Sequence, residues 1–161
     1  MSLRAKIFKF LNSGSPKECV ENDPGPDASQ KITREVREMV NRFTEAIREK
    51  DLPTLSGLMT DDVVLLTPSG DPIIGRQGVE AFCSLLFSKF NIDKHIDFAV
   101  KTSDERTIAT VHAFPFITLT ALNGGTVVEM RGSVVGVLRY ENRVWKIARI
   151  LSLVSWPELK L

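Results

Sequence analysis

Apolar residues recur at intervals of three and four from Ile32 through Val36, Met39, Val40, Phe43 and Ile47. That spacing draws one stripe along a helix and predicts helix over Thr33–Lys50, with Thr33 able to cap its start. Asp51-Leu52-Pro53 interrupts the stripe, and a proline suited to a first turn predicts a short second helix carrying Leu55, Leu58 and Met59. Asp61 and Asp62 end it as solvated cap residues, and the run Val63–Thr67 predicts a strand. Pro68-Ser69-Gly70-Asp71-Pro72 reads as a tight turn, with Ile73-Ile74 as a brief return strand. Beyond Gly75, Val79, Phe82, Leu86 and Phe90 mark the buried stripe of a third helix that runs to about Lys89.

The pattern then changes period. Strands fit His95–Thr102, Thr107–Leu122, Thr126–Tyr140 and Arg143–Ser155, joined by turns at Ser103-Asp104-Glu105, Asn123-Gly124-Gly125 and Glu141-Asn142. Long strands with short connections imply an antiparallel meander, and helices first with strands after imply an α+β domain. Along Thr126–Tyr140, alternation sends Val128, Met130, Val134 and Leu138 towards the helices. It leaves Glu129, Arg131, Ser133, Val135, Val137 and Arg139 on an outer face whose mixture of valines and opposite charges suits a homodimer contact.

With 161 residues the chain has room for one domain with a sizeable core, and its 43 % apolar and 25 % charged residues are ordinary for a soluble protein. Residues 18–31 read as a linker, which divides the chain into an N-terminal segment with linker, 1–31, and a folded domain, 32–161. A net charge of +1 with interleaved signs excludes a nucleic-acid footprint, and no apolar run approaches the roughly 20 residues of a membrane span. Cys19 and Cys83 form neither a disulfide framework nor a metal spacing, so no metal and no cofactor are expected, and a reducing, cytoplasmic setting fits best. Met1–Lys17 carries Arg4, Lys6, Lys9 and Lys17 interleaved with Leu3, Ile7, Phe8, Phe10 and Leu11. Such a basic amphipathic segment reads as an extra helix packed on the domain or a neighbouring subunit; the other reading is a membrane-surface contact or organellar address.

The stretch VNRFTEAIREKDLPTLSGLMTDDVVLLTPSGDPIIGRQGVEAF, from Val40, resembles the front half of ketosteroid isomerases and SnoaL polyketide-cyclase-like proteins of the nuclear-transport-factor-2-like superfamily. The shared frame is a -K-D-L- corner, a short helix closing on -L-M-x-D-D-, a strand and turn, and a -G-R-x-G-V-x-x-F- helix start. The closing -RVWKIARI- resembles the superfamily's last strand, and the similarity covers roughly residues 32–156. It implies a cone-shaped barrel with three N-terminal helices on the concave face of a curved antiparallel sheet, and dimers through the open sheet face. Where the isomerases carry a tyrosine and two aspartates, this chain places Phe43, Thr67 beside Pro68, and Gly136. Proton shuttling of that kind is therefore not expected.

The same phasing points Thr110, His112, Phe114 and Phe116 of the central strand, and Trp145, Ile147, Arg149, Leu151 and Leu153 of the last, into the cone. Phe43, Leu66 and Phe82 line its helical side, which makes a mostly apolar pocket with His112, Arg149 and Thr67 as polar points. His112 could serve as a general base and Arg149 could hold a carboxylate or enolate oxygen. The bland alternative is a hydrogen-bonded core histidine and an arginine paired with a nearby acid. Three functions follow: a dimeric binder of a small apolar or enolisable molecule, a cofactor-free cyclase, dehydratase or isomerase-like enzyme, and a non-catalytic assembly module. Motifs for phosphate loops, zinc proteases and serine nucleophile elbows are missing from the sequence.

Overall fold

The computed structural model describes residues 26–68, 70–102 and 107–154, so the basic segment 1–17, Cys19, the turn at 103–106 and Trp156-Pro157 lie outside the described residues. The first apolar stripe forms helix α1, Pro26–Glu49, which buries Val36, Met39, Val40 and Ala46. It begins earlier than the stripe predicts, because Pro26 suits a first turn and nothing in Asp27–Lys31 opposes a helix. Its end is a paired-bond stop: Lys50 N–H donates to Ile47 O and Asp51 N–H to Ala46 O, with Lys50 in the left-handed region at φ 59°. The Lys50 ammonium also donates to Phe87 O (3.0 Å), which ties this corner to the third helix.

Helix α2, Leu52–Gly57, follows at once. The Asp51 carboxylate caps it, accepting from Thr54 N (3.0 Å) and Thr54 Oγ1 (2.6 Å), and the Thr54 hydroxyl holds its pKa below the usual carboxylate range. A depressed folded-state pKa gives a contribution that is present above the ordinary value and lost as pH falls through the folded one. Asp51→Ala should therefore lower the melting temperature at pH 7 and have a smaller effect near pH 3, as thermal melts at the two pH values would read.

Strand β1, Met59–Leu66, starts before the predicted Val63. Asp61 and Asp62 thus sit inside a strand rather than at a helix corner, in an irregular stretch where register with the last strand shifts. Each carries an arginine partner: Asp61 pairs with Arg76, and Asp62 with Arg139 and Arg149. Strand β2, Ile73–Ile74, pairs back on β1, and Gly75 at φ 80° turns the chain into helix α3, Arg76–Lys89. Helix α3 runs without a loop into β3, Phe90–Thr102, five residues earlier than the expected strand start at His95.

Strands β4 (Ile108–Ala121), β5 (Val127–Arg131), β6 (Val134–Glu141) and β7 (Val144–Ser152) complete a seven-stranded sheet. Its order is β2-β1-β7-β6-β4-β3, with β5 beside β4. The pairing is antiparallel except between β1 and β7, which run parallel, so the curved sheet is mixed and does not close. This is the expected α+β cone, with one parallel seam that a meander reading does not contain. The predicted single strand Thr126–Tyr140 is two strands in one register, interrupted where Gly132-Ser133 faces Phe114-Pro115 of β4. Proline has no N–H for the ladder, and pairing lapses beside it.

An apolar cavity roofed by two helices

Each predicted site residue has a definite place, and phase decides which of them meet. On β4 the buried side is Ala109, Val111, Ala113, Pro115, Ile117 and Leu119. Thr110, His112, Phe114 and Phe116, expected inside, therefore face the outer side of the sheet. The outer face mixes Phe114 and Phe116 with Thr110, His112, Thr118 and Thr120, whereas the buried face is apolar throughout, and a one-residue slip exchanges every side chain between the two. There Thr110 pairs with Val137 and His112 with Val135, and the Arg131 guanidinium lies 4.7 Å from the Phe116 ring centroid.

Strand β7 begins in the expected phase, with Trp145 and Ile147 buried. Val137 then pairs with Arg149 while Leu138 pairs with Ile147, which leaves Ala148 as an extra residue on β7. Such a bulge reverses the alternation. Ile150 and Ser152 consequently point to the concave side, while Arg149, Leu151 and Leu153 do not. Arg149 donates to Asp62 O (2.9 Å) and Ala148 O, and its second nitrogen lies 3.7 Å from the Asp62 carboxylate. Hydrogen bonds from Arg139 and then Thr60 hold the Asp62 pKa below its ordinary value, so an ionised acid faces both arginines. Trp145 packs against Tyr140 with the rings tilted (centroids 5.2 Å apart) and lines a separate groove with Arg42 and Arg143, outside the cavity. Leu66 is 36 % exposed, its neighbour Leu65 taking the inward position, and Thr67 does not line the cavity.

Phe43, Phe82 and Ile147 do line it. Between α1, α3 and the concave face of the sheet lies a cavity of about 130 Å³. Its roof is Met39, Val40, Phe43 and Ile47 of α1 with Val79, Phe82, Cys83 and Leu86 of α3. Its floor includes Ile92, Ile96, Val111, Ala113, Pro115, Ile117, Val134, Gly136, Ile150 and Ser152. Among the described residues lining it, Lys94 is the one that carries a charge, and none is a carboxylate.

Lys94 is the functional group that the sequence reading missed. It stands on the cavity face of β3 between Ile92 and Ile96, opposite Ile117, with its Nζ 5.4 Å from the Phe43 ring centroid. Burial pulls its pKa from 10.5 down to about 8, offset in part by the neighbouring Cys83. Burial likewise pushes the Cys83 thiol up to about 11, so that this free cysteine is a neutral thiol at physiological pH. A group of at least three histidine, cysteine, aspartate or glutamate residues able to hold a metal is absent among the described residues.

This helix-roofed arrangement agrees with the sequence match, in which the SnoaL-like domain profile covers residues 36–154. The chain belongs to the SnoaL-like domain family. A conserved protein from Planctomyces limnophilus is similar in structure, with a TM-score of 0.72, 29% identity, and coverage of 80% of this chain and 98% of that one. A scytalone dehydratase-like protein from Novosphingobium aromaticivorans has a TM-score of 0.75 at 13% identity, over 85% and 93% of the two chains. A nuclear transport factor 2-like superfamily protein from Salmonella enterica has a TM-score of 0.70 at 17% identity, over 81% and 94%. The last two likenesses concern the fold alone. No curated protein matches the chain. Among the described residues of this SnoaL-like domain, no helix is long and apolar enough to cross a membrane.

Because His112 and Arg149 stand on the outer side, His112→Ala and Arg149→Ala are expected to leave the affinity of a cavity ligand within about twofold of the parent. A tenfold loss, about 1.4 kcal/mol, would require a path from the outer face that the sheet does not provide.

Proposed function

We propose that this SnoaL-like domain binds a small, largely apolar molecule bearing one acceptor or anionic group, with Lys94 as the contact for that group. The observation that carries the reading is a cavity walled by aliphatic and aromatic side chains with a single ammonium inside it. Few polar groups in an apolar enclosure are the usual composition of a small-ligand site. Size narrows the ligand. An apolar cavity of about 150 Å³ admits benzene, so roughly 130 Å³ suits one ring or a chain of similar bulk rather than a fused polycycle.

Calorimetric titration of the full chain with toluene, phenol and benzoate tests this. Saturable binding with a negative heat-capacity change is expected, stronger for phenol or benzoate than for toluene. Ala113→Leu, which adds bulk to the floor, should weaken all three by tenfold or more. Absence of binding, or indifference to Ala113→Leu, would overturn the reading.

An enzymatic role on an enolisable substrate is the second reading, favoured by the lowered pKa of Lys94, which brings a base into the neutral range. Association of two copies through the outer sheet face belongs to the same proposal. That face carries Phe114, Phe116, Val135, Val137 and the 39 % exposed Leu151 between charged residues. Light scattering should give a dimer that Val137→Glu dissociates, and a monomeric parent would end this part. A larger assembly that binds none of the three probes would favour the assembly-module reading instead.

A further inference from the structure

We propose that Lys94 is an amine nucleophile that captures a single-ring or short-chain aldehyde as an imine within the cavity. The inference rests on the binding reading above and names the chemistry of the captured group. Three features of the site carry it.

The first is position. Lys94 lies in the middle of β3, opposite Ile117 of β4, so rigid paired backbone fixes where its stem enters the cavity. Its Nζ sits 5.4 Å from the Phe43 ring centroid, which holds the amine between the sheet and the helical roof. The second is the absence of a carboxylate among the described lining residues. A buried lysine with a carboxylate neighbour is held as an ammonium by that charge. Here the acidic group facing Lys94 is the Cys83 thiol on α3, which is itself buried and neutral at physiological pH, with Glu80 of the same helix acting on it. The free amine is therefore accessible near neutral pH. Relative to an ordinary surface lysine, a pKa of about 8 raises the neutral fraction at pH 7 by roughly a few hundredfold. The third is the wall itself. Its mostly apolar side chains favour a neutral carbonyl compound over its hydrated form and limit the access of water to the imine once it has formed.

The step balances without another reactant. The Lys94 nitrogen lone pair adds to the carbonyl carbon, and the C=O π pair moves to oxygen. Both amine hydrogens then leave with that oxygen as water, and a C=N bond remains between ligand and Nζ. No electron acceptor or donor is needed, and hydrolysis reverses the step.

The test uses the full chain, benzaldehyde and cyanoborohydride, which reduces an imine to a stable amine, read by intact mass and peptide mapping. One benzyl group is expected on Lys94 at pH 7, forming at least tenfold faster than on exposed Lys101. Toluene should protect Lys94 and leave the slow labelling of Lys101 unchanged, a comparison that needs no variant. Lys94→Arg, which keeps a cation but has no amine to condense, should remove the fast label. Labelling spread evenly over surface lysines would overturn the proposal. So would an unlabelled Lys94 in a protein that still binds toluene by calorimetry, and that result would leave the binding reading standing. Failure to bind toluene, phenol and benzoate would remove the binding reading and the imine with it.

Discussion

Replacing Lys94 by methionine is expected to raise the melting temperature at pH 6 by about 4–8 °C. Burial moves the Lys94 pKa from 10.5 to about 8, so folding disfavours the ammonium that the unfolded chain carries freely. Below pH 8 both states hold the proton, and the whole cost of burying the charge weighs on stability. The difference between the two values sets an upper bound near 3 kcal/mol. Partial exposure of the side chain reduces this to about 2 kcal/mol. From about pH 8 to 10.5 the unfolded chain still binds the proton and the folded protein does not, so the stability of the parent rises with pH. Above that range neither state is charged at Lys94 and the cost is gone. Methionine keeps the length and flexibility of the stem and lacks the charge. The gap between variant and parent should thus be widest below pH 8 and nearly closed at pH 10.5. Melting curves of both proteins across that range measure it, and a variant less stable than the parent at pH 6 would show the ammonium to be anchored rather than penalised.

The sign of that expectation bears on function. Most positions in a core this apolar would be filled by leucine or isoleucine, and the neighbours of Lys94 on its face of β3 are Ile92 and Ile96. A residue that lowers stability where an isoleucine would raise it is characteristic of a working site. Loss of probe binding in the same stabilised variant would join the two halves of this argument.

Lys94 is legible in the sequence once the strand is begun at Phe90. From Phe90 onward, Phe90, Ile92, Ile96, Phe98 and Val100 alternate with Asn91, Asp93, His95 and Asp97. Period two places Lys94 on the apolar face as the single exception. A strand begun at His95 leaves Lys94 outside the pattern. The helical stripes were more robust, because five or six residues at intervals of three and four fix a face even when the ends are uncertain, as with α1. Strands β5 and β6 kept their phase because charged residues mark the outer side. On strand β4 the bulk of Phe114 and Phe116 favours the wrong side, although over its full length Ala109, Val111, Ala113, Pro115, Ile117 and Leu119 form the wholly apolar face and Thr110, His112, Thr118 and Thr120 mark the outer one. The bulge at Ala148 has no local signature at all, since only pairing with β6 reveals the extra residue. The phase of β4 and the bulge in β7 thus place His112 and Arg149 outside the cavity that the sequence pattern predicts them to line. The acid pairing of Arg149, the blander of the two sequence readings, is what Asp62 supplies.

Gly132→Ala is expected to destabilise the domain by about 2–3 kcal/mol, at the upper end for one added methyl group in a packed site. A Cβ at this position would lie 2.7 Å from Val154 Cγ2, 3.0 Å from Leu153 O and 3.1 Å from Val154 Cα. The first neighbour is a side-chain tip; the other two are backbone and cannot rotate away. Val154 is fully buried, and Leu153 N–H donates to Ser133 O (2.8 Å), so the segment after β7 is held against the β5–β6 junction from both sides. That junction faces Pro115, where β4 offers no N–H, and close packing of Gly132 on Val154 takes the place of the missing ladder. Val154→Ala removes the nearest atom and leaves the backbone contacts, so in the double variant it should recover part of the loss. A coupling energy of about 0.5–1 kcal/mol is expected between the two substitutions, from denaturant unfolding of the four proteins. Additive effects would mean that the backbone, rather than the valine tip, sets the limit. Neutrality of Gly132→Ala would mean that the two segments do not approach. The same displacement should reach the site, because Val134 and Ser152 of the cavity floor each lie two residues from this contact. Weaker toluene binding in Gly132→Ala, beyond any fraction unfolded, would show that the packing that replaces a hydrogen bond at Pro115 also holds the cavity wall in place.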